Sequence, residues 1–217
     1  MPNGSGIVTG FPQILSDAPT VKAALRRRIR AARRARVAAE RSEVARALVG
    51  VALELPQIQA ARCVALYAST GTEPQTAPLR RALRNEGISV MLPLVRAGGL
   101  EWAWDTGDDL RPGPGPSGGA PGGRTLGSAG LLAADVVLVP ALAVDTLGTR
   151  LGQGGGYYDR ALPLLDPGVP VLAVVHDDEV LDAAVEALPA EPHDVPVDGA
   201  LTPLRCLRLP GRPPGRA

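Results

Sequence analysis

Short β-rich runs alternate with segments of helical pattern along most of the chain, and this alternation constrains the fold more than any other feature. Strand patterns lie at 62–68, 88–93, 100–104, 135–139 and 169–177, and helical patterns at 77–87, 155–165 and 178–187. Strands that alternate with helices typically form a mostly parallel sheet with both faces covered. The sequence therefore predicts an α/β fold with a single three-layer α/β/α domain.

Two further helices are predicted before the first strand. Thr20 can cap a helix that runs to about Ala39, and a second helix is expected over 41–54. Apolar residues recur at helical spacing along the first of these, at Val21, Leu25, Ile29 and Ala32. The cations Lys22, Arg26 and Arg30 follow four residues apart, so they should stack on a neighbouring face.

Length and composition favour one domain, predicted over residues 20–209. The chain has 217 residues, of which 45% are hydrophobic, enough for one core. Residues 1–19 are predicted to be a flexible tail that is not a signal peptide, and 210–217 a disordered tail. The segment 191–203 is expected to be loop and edge strand. Residues 105–130 contain nine glycines and four prolines, which predicts a flexible loop or flap.

The charge balance excludes a strong general attraction to nucleic acid or membranes. The chain carries 23 basic and 22 acidic side chains, a net charge of +1. No segment approaches the roughly 18 apolar residues that a membrane helix needs. Cys63 and Cys206 lie in apolar runs and are expected to be buried, reduced thiols. We expect a cytoplasmic protein that acts as a monomer on small molecules. Lys22 is the only lysine beside 22 arginines.

The stretch GTRLGQGGGYYDRAL (148–162) carries the strongest indication of a binding site. Four glycines occupy the five positions 152–156, and they follow the buried strand at 135–139. Ligands bind beyond the carboxyl ends of strands in such sheets, and glycines before a helix expose backbone N–H groups to an anion. Arg150 suits phosphate oxygens, and Asp159 could hold magnesium beside them.

The same stretch leaves other interpretations open. It is not a P-loop, and no G-x-G-x-x-G follows the first strand. Tyr157 and Tyr158 could wall a flat ring, or the segment could be a glycine-rich turn whose two tyrosines pack into the core. Residues 22–36 contain eight cations and no acid, so a solvated basic face, RNA binding and targeting also compete.

Four segments, in the same order along the chain, resemble the 5-formyltetrahydrofolate cyclo-ligase family, also called methenyltetrahydrofolate synthetase. VPALAVDTLGTRLGQGGGYYDRAL looks like the family signature, and KAALR (22–26) resembles its N-terminal K-x-x-L-R. LYASTGTEPQT (66–76) resembles the Y-x-x-x-x-x-E-x-x-T segment, and LPAEPHDVPVDGALTP (188–203) the C-terminal P-x-E-x-H-D segment. The likeness spans about residues 20–204.

The resemblance implies an ATP- and Mg²⁺-dependent ligase that closes 5-formyltetrahydrofolate to 5,10-methenyltetrahydrofolate and releases ADP and phosphate. The formyl oxygen would attack the γ-phosphate, and the second folate nitrogen would then close on the activated carbon. By the same resemblance, the residues expected to bind ATP are Lys22, Arg26, Arg150, Leu151, Gly152, Gln153, Gly154, Gly155, Gly156, Tyr157 and Tyr158. Those expected at the folate are Ala68, Glu73, Trp102, Gly154, Gly155, Gly156 and Tyr157. Asp159 and Asp194 are expected to hold the magnesium.

Some residues depart from the family pattern or have no assigned role. Ala120 precedes Pro121 in PGPGPSGGAPGG, where an acid would stand in the family, and Leu100 and Gln153 also differ. Trp102 and Trp104 could wall the folate pocket or simply pack in a strand, and no chemistry is assigned to His176 or His193. Two other functions stay open: a non-catalytic folate- or nucleotide-binding relative, and an α/β enzyme acting on a phosphosugar or CoA ester.

Overall fold

The structure, a computed structural model, describes residues 17–107, 110, 119, 121, 122 and 124–212. The predictions for 1–16, for the flap at 108–109, 111–118, 120 and 123, and for 213–217 lie outside these residues. The helices are α1 (Ala18–Ala35), α2 (Ala38–Leu53), α3 (Pro56–Gln59), α4 (Ala77–Asn85), α5 (Tyr157–Ala161) and α6 (Ala183–Glu186). Short 3-10 helices cover Ser128–Ala133, Leu162–Leu164 and Asp177–Glu179.

The strands form one large sheet and one small one. They are β1 (Cys63–Ala65), β2 (Ser89–Arg96), β3 (Gly99–Trp104), β4 (Thr125–Gly127), β5 (Val136–Pro140), β6 (Ala143–Asp145), β7 (Arg150–Leu151), β8 (Val171–Val174), β9 (Val180–Leu181), β10 (Gly199–Leu201) and β11 (Cys206–Arg208). The large sheet has the order β11-β10-β8-β5-β1-β2-β3-β4, and the small one β7-β6-β9. From β10 to β2 the large sheet is parallel, and its outer pairs are antiparallel.

Both faces of the large sheet are covered, which confirms the predicted three-layer α/β fold. On one face, Leu48 of α2 and Leu83 of α4 pack with Val64, Val90 and Leu172 of the strands. On the other face, the segment 161–165 and Leu131 pack against Met91, Val137 and Ala173. No helix in the described ranges combines the length and the apolar character needed to cross a membrane.

Helix α1 packs away from these layers, against the small sheet. Leu25 and Ile29 from its predicted apolar stripe contact Leu142, Ala143 and Leu151. Strands β6 and β7 carry the chain into the glycine segment, so this packing places α1 beside it. Buried Arg33 also fixes α1, since its guanidinium donates to both carboxylate oxygens of Glu179 and to the carbonyl oxygen of Ala141, all at 2.7 Å.

Several predicted boundaries differ from the structure. The first helix begins at Ala18, after Asp17 rather than Thr20, because Pro19 is tolerated in a first helical turn. It ends at Ala35 rather than Ala39, since Arg36 and Val37 are extended before α2 begins. The helix predicted over 155–165 is α5 followed by a 3-10 turn that contains Pro163, which lacks an N–H donor.

The C-terminal segments differ too. The helix predicted over 178–187 is divided into a 3-10 turn, strand β9 and helix α6. Strand β10, predicted within 191–203 as an edge strand, lies inside the large sheet, and β11 is the edge strand beside it.

Candidate functional site

A cavity of about 320 Å³ lies where the carboxyl ends of β1 and β5 meet the glycine segment and α1. Binding pockets for small molecules commonly measure roughly 300–1,000 Å³, so this one is at the lower end. With one exception, it is lined by every residue that the sequence assigned to ATP, folate or magnesium: Lys22, Arg26, Ala68, Glu73, the run Arg150–Asp159 and Asp194.

Glycine is required in the loop at two positions in particular. Gly154 and Gly156 have φ angles of 105° and 63°, which side chains other than glycine rarely adopt. A side chain on Gly155 would stand 2.8 Å from the ring of Tyr157. The loop therefore holds its backbone open toward the cavity. Helix α5 has only five residues, so most of the positive charge at the site comes from side chains.

The cations of α1 point into this site, as their spacing predicts. Lys22 Nζ donates to Glu191 Oε2 and to Asp194 Oδ2, both at 2.6 Å. One turn later, Arg26 Nε donates to the carbonyl oxygen of Gly152 at 2.9 Å. This basic face is therefore engaged in the fold and the cavity, with Lys22 buried and only 6% exposed.

The charge on Lys22 and Asp194 is stabilised by their pairing. Desolvation opposes the charged lysine, but hydrogen bonds and charges from Asp194 and Glu191 outweigh it and raise the pKa of Lys22. Desolvation likewise opposes the charged Asp194, but hydrogen bonds from Lys22 and the Glu191 backbone N–H lower the pKa of that carboxyl. The pair is fully charged at neutral pH.

Arg150 and Asp159 form a second ion pair in the cavity wall. Arg150 Nη2 donates to Asp159 Oδ1 at 2.6 Å, and the guanidinium carbon lies 5.9 Å from the centre of the Tyr158 ring. Among the described residues, Arg150 Nε and the Tyr158 hydroxyl are buried without a hydrogen-bond partner. Such groups are uncommon in interiors, and these two lie on residues that line the cavity, where a ligand could satisfy them.

The tyrosine pair lies where both interpretations of the sequence would place it. Tyr157 and Tyr158 pack against the core and also line the cavity. Burial, together with the charge of Glu73, raises the pKa of Tyr158 despite the nearby Arg150. The hydroxyl of Tyr158 is therefore a neutral donor at physiological pH.

Glu73 also lines the cavity and is 8% exposed. Its Oε2 accepts hydrogen bonds from the backbone N–H of Thr70 at 2.8 Å and from the Thr70 hydroxyl at 3.1 Å. Its Oε1 accepts a longer bond, 3.3 Å, from Nε2 of Gln153. Apolar surface surrounds this carboxylate, contributed by Tyr67, Ala68, Pro93, Val95, Leu100 and Pro140.

The exception is Trp102, which does not line the cavity. Its side chain is 1% exposed and packs in the core beneath the sheet, as its alternative interpretation predicted. Trp104 is 37% exposed and borders a separate groove with Arg84 and Asp105. His176 is buried away from the cavity, whereas His193 lines it.

Sequence reasoning also missed Glu191. It lies three residues before Asp194 in the P-x-E-x-H-D segment, so the motif contained it without indicating its role. The contact with Lys22 joins residues 169 positions apart, and only the folded chain shows it.

The carboxylates near Lys22 have the chemistry that magnesium requires. Glu191, His193 and Asp194 each present a ligand atom, and these atoms lie within 4.8 Å of one another. Magnesium prefers oxygen ligands, so Glu191 and Asp194 fit it better than the imidazole does. Asp159, the other expected ligand, has one oxygen engaged by Arg150 and by the backbone N–H of Val195.

Comparison with known proteins agrees with this arrangement. The chain is 42% identical to 5-formyltetrahydrofolate cyclo-ligase of Mycolicibacterium smegmatis over 159 residues, which cover 66% of this chain and 75% of that protein. It is 39% identical to the Escherichia coli K12 protein of the same name over 70 residues, 32% of this chain and 36% of that one.

Two solved structures are similar. The NMR structure of Aquifex aeolicus 5,10-methenyltetrahydrofolate synthetase superposes with a TM-score of 0.74 at 26% identity, covering 91% of this chain and 95% of that one. The Mycoplasma pneumoniae synthetase, at 23% identity and a TM-score of 0.64, covers 84% and 98% and shares the fold. The profile of the 5-formyltetrahydrofolate cyclo-ligase family matches residues 18–203, and the chain belongs to that family.

Proposed function

We propose that the chain is an ATP- and Mg²⁺-dependent enzyme that closes 5-formyltetrahydrofolate to 5,10-methenyltetrahydrofolate. The observation that carries this proposal is the convergence of four sequence segments around one cavity. Cations and the glycine loop form one part of its lining, and a buried carboxylate together with apolar residues forms another. The names of the relatives support the same reaction.

The cationic side suits the phosphates of ATP. Arg150 and Arg26 line the cavity beside the glycine loop, and guanidinium groups bind phosphate oxygens through charge-assisted hydrogen bonds. Arg26 Nε donates to the carbonyl oxygen of Gly152, and this bond fixes the arginine side chain beside the loop. Lys22 gives two of its three N–H donors to carboxylates, so one remains for a phosphate oxygen. A divalent cation at those carboxylates would free the other two.

The other side suits a pterin. A pterin ring presents N–H donors along one edge, and Glu73 Oε1 faces the cavity with only the long bond from Gln153. Because Oε2 already accepts two bonds from Thr70, Oε1 is the better placed oxygen for the substrate. The apolar residues around Glu73 would cover the faces of the ring. A phosphosugar would leave this surface unused.

The reaction consists of two displacements. The formyl oxygen attacks the γ-phosphorus of ATP and ADP leaves, which converts a poor leaving group into a phosphate. The N10 nitrogen then attacks the formyl carbon and loses its proton, and the C–O bond breaks to release inorganic phosphate. The protein contributes mainly by holding the two substrates in contact and by stabilising negative charge on the phosphates.

Magnesium, when bound, would neutralise phosphate charge during the first displacement. Glu191 and Asp194 are the residues that would hold it, with Asp159 nearby through its contact with Val195. Keeping Asp194 ionised through its lowered pKa maintains this ligand at neutral pH. A monomer in the cytoplasm remains the prediction from the sequence.

The decisive experiment follows the absorbance of the methenyl product with purified protein, 5-formyltetrahydrofolate, ATP and Mg²⁺. We expect turnover that requires 5-formyltetrahydrofolate, ATP and Mg²⁺ and that stops when EDTA is added. Binding of both substrates without turnover would favour a non-catalytic relative. If neither substrate binds, the proposal is wrong.

A further inference from the structure

Gln153 links helix α1 to Glu73 across the mouth of the cavity. Its Oε1 accepts hydrogen bonds from Arg30 Nε at 3.1 Å and from Arg30 Nη2 at 2.7 Å. Arg30 Nη2 also donates to the backbone carbonyl oxygen of Gln153 at 3.2 Å. The amide nitrogen, Nε2, donates to Glu73 Oε1.

The charges on either side determine how this amide is oriented. Arg30 has only donors to offer, and the Glu73 carboxylate only acceptors. If the amide rotated by 180°, its NH₂ group would face the guanidinium and its oxygen would face the carboxylate. The neutral glutamine therefore fits between a cation and an anion in one orientation, which directs its donor at Glu73.

The donor lies where the proposed substrate must place its own. Glu73 Oε2 already accepts two bonds from Thr70, so a ligand that enters the cavity meets Oε1, where Gln153 Nε2 takes one of the two acceptor positions. The bond is long at 3.3 Å and its donor is neutral, so a well-placed N–H group can replace it. Gln153 is exposed, and its displaced amide can bond to water instead.

We propose that Gln153 is a positioning residue that caps Glu73 Oε1 in the ligand-free chain, and that the N–H donor of the bound pterin displaces it. Arg30 acts through Gln153, because it sets the direction of the amide. This inference rests on the function proposed above, in which Glu73 binds the pterin. The contact competes with the substrate, so removing it should tighten substrate binding.

The test measures the dissociation constants of 5-formyltetrahydrofolate and of a non-hydrolysable ATP analogue by titration calorimetry. Q153A and Q153L both remove the donor, one with and one without loss of bulk. Each should bind 5-formyltetrahydrofolate about fivefold more tightly than the unmodified chain, the worth of one such hydrogen bond.

Two further variants test separately the bond from Gln153 to Glu73 and the bonds from Arg30 to Gln153. Q153E keeps the acceptor for Arg30 but places a second carboxylate against Glu73, so folate affinity should fall. R30A should tighten folate binding in the unmodified background and have a much smaller effect in the Q153A background, where only the bond from Arg30 to the backbone carbonyl oxygen of residue 153 remains to be lost. R28A, which breaks the exposed pair with Glu186 on the same helix, is the matched control and should leave both constants unchanged.

The outcomes distinguish this inference from the function on which it rests. If the unmodified chain binds 5-formyltetrahydrofolate and Q153A and Q153L bind it equally or more weakly, Gln153 does not compete with the substrate and the inference alone is overturned. If R30A is additive with Q153A, the positioning role of Arg30 is wrong. If the unmodified chain does not bind 5-formyltetrahydrofolate, both proposals fall.

Discussion

Replacing Lys22 with methionine tests how the N-terminal helix holds the carboxylates of the site. Methionine keeps an unbranched, flexible stem of similar size, so the packing of the helix should survive. What is lost is the ammonium group that contacts Glu191 and Asp194 at 2.6 Å. Two neighbouring carboxylates then face each other without a cation between them.

The expected loss of stability follows from the burial of the three groups. Breaking a fully buried ion pair by removing one partner costs about 3–5 kcal/mol. Lys22 has 7% of its side chain exposed, but Asp194 has 17% and Glu191 has 29%, so water can partly solvate the abandoned carboxylates. We therefore expect Lys22→Met to lower the free energy of unfolding by about 2 kcal/mol at neutral pH.

This difference should depend on pH with a defined sign. The pKa of Asp194 is lowered in the folded chain, so its pairing contributes stability above the unfolded pKa, and that contribution is lost as the pH falls through the folded value. The pKa of Lys22 is raised, so its contribution is lost only as the pH rises through that raised value. The difference in the free energy of unfolding between the two proteins should be constant from about pH 5 to pH 10. It should become smaller below and above that range.

Urea unfolding of the unmodified chain and of Lys22→Met, at pH values from acid to neutral, measures this difference. Arg28→Met is the control, since it removes an exposed cation from the same helix and should cost less than about 1 kcal/mol. A difference that stays the same at acid pH, or one below about 0.5 kcal/mol at neutral pH, would show that the carboxylates do not depend on Lys22.

Three other substitutions test separate parts of the structure. Arg150→Ala should weaken ATP binding by about tenfold or more and folate binding far less, because a charge-assisted phosphate contact is lost; equal losses in calorimetric titrations would contradict this division. Glu73→Gln should raise the KM for 5-formyltetrahydrofolate and leave the KM for ATP nearly unchanged, and an unaltered folate KM would remove Glu73 from the pocket. Arg33→Ala should lower the free energy of urea unfolding by about 3–5 kcal/mol, because Glu179 would stay buried without its partner; a loss below about 1 kcal/mol would refute that role.

The layers of the fold could be predicted because their signals are local. Each β-rich run and each helical segment shows its own period, and the sheet follows from their alternation. The break between helices α1 and α2, from Ala35 to Ala38, could not be predicted, because no proline or glycine marks it. Arg33 and Arg36 hold this corner through Glu179 and Asp178, which come about 140 residues later.

The site was predictable to the extent that it uses the backbone. Gly154 and Gly156 adopt positive φ angles, and glycine is the residue that such angles favour. The position of Trp102 was not predictable, because it shares a face of the sheet with Leu100 and Pro93, which do line the cavity, and the 3-10 segment 128–133 packs over it. The structure places it in the core, and Tyr67 and Pro93 supply the apolar wall instead.

What sequence reasoning could not supply is the pairing of charges, and this changes how the site must work. Lys22 and Arg150 look in the sequence like cations that wait for phosphate, yet in the folded chain both are bound to carboxylates at 2.6 Å. In the proposed function, a triphosphate shares these cations with Asp194 and Asp159 and can use donors that have no partner, such as Arg150 Nε. Magnesium at the carboxylates would release further donors to the phosphates, so each of metal and nucleotide should strengthen binding of the other. In such a site the carboxylates are as important as the cations, because they stabilise the buried cations in the ligand-free protein.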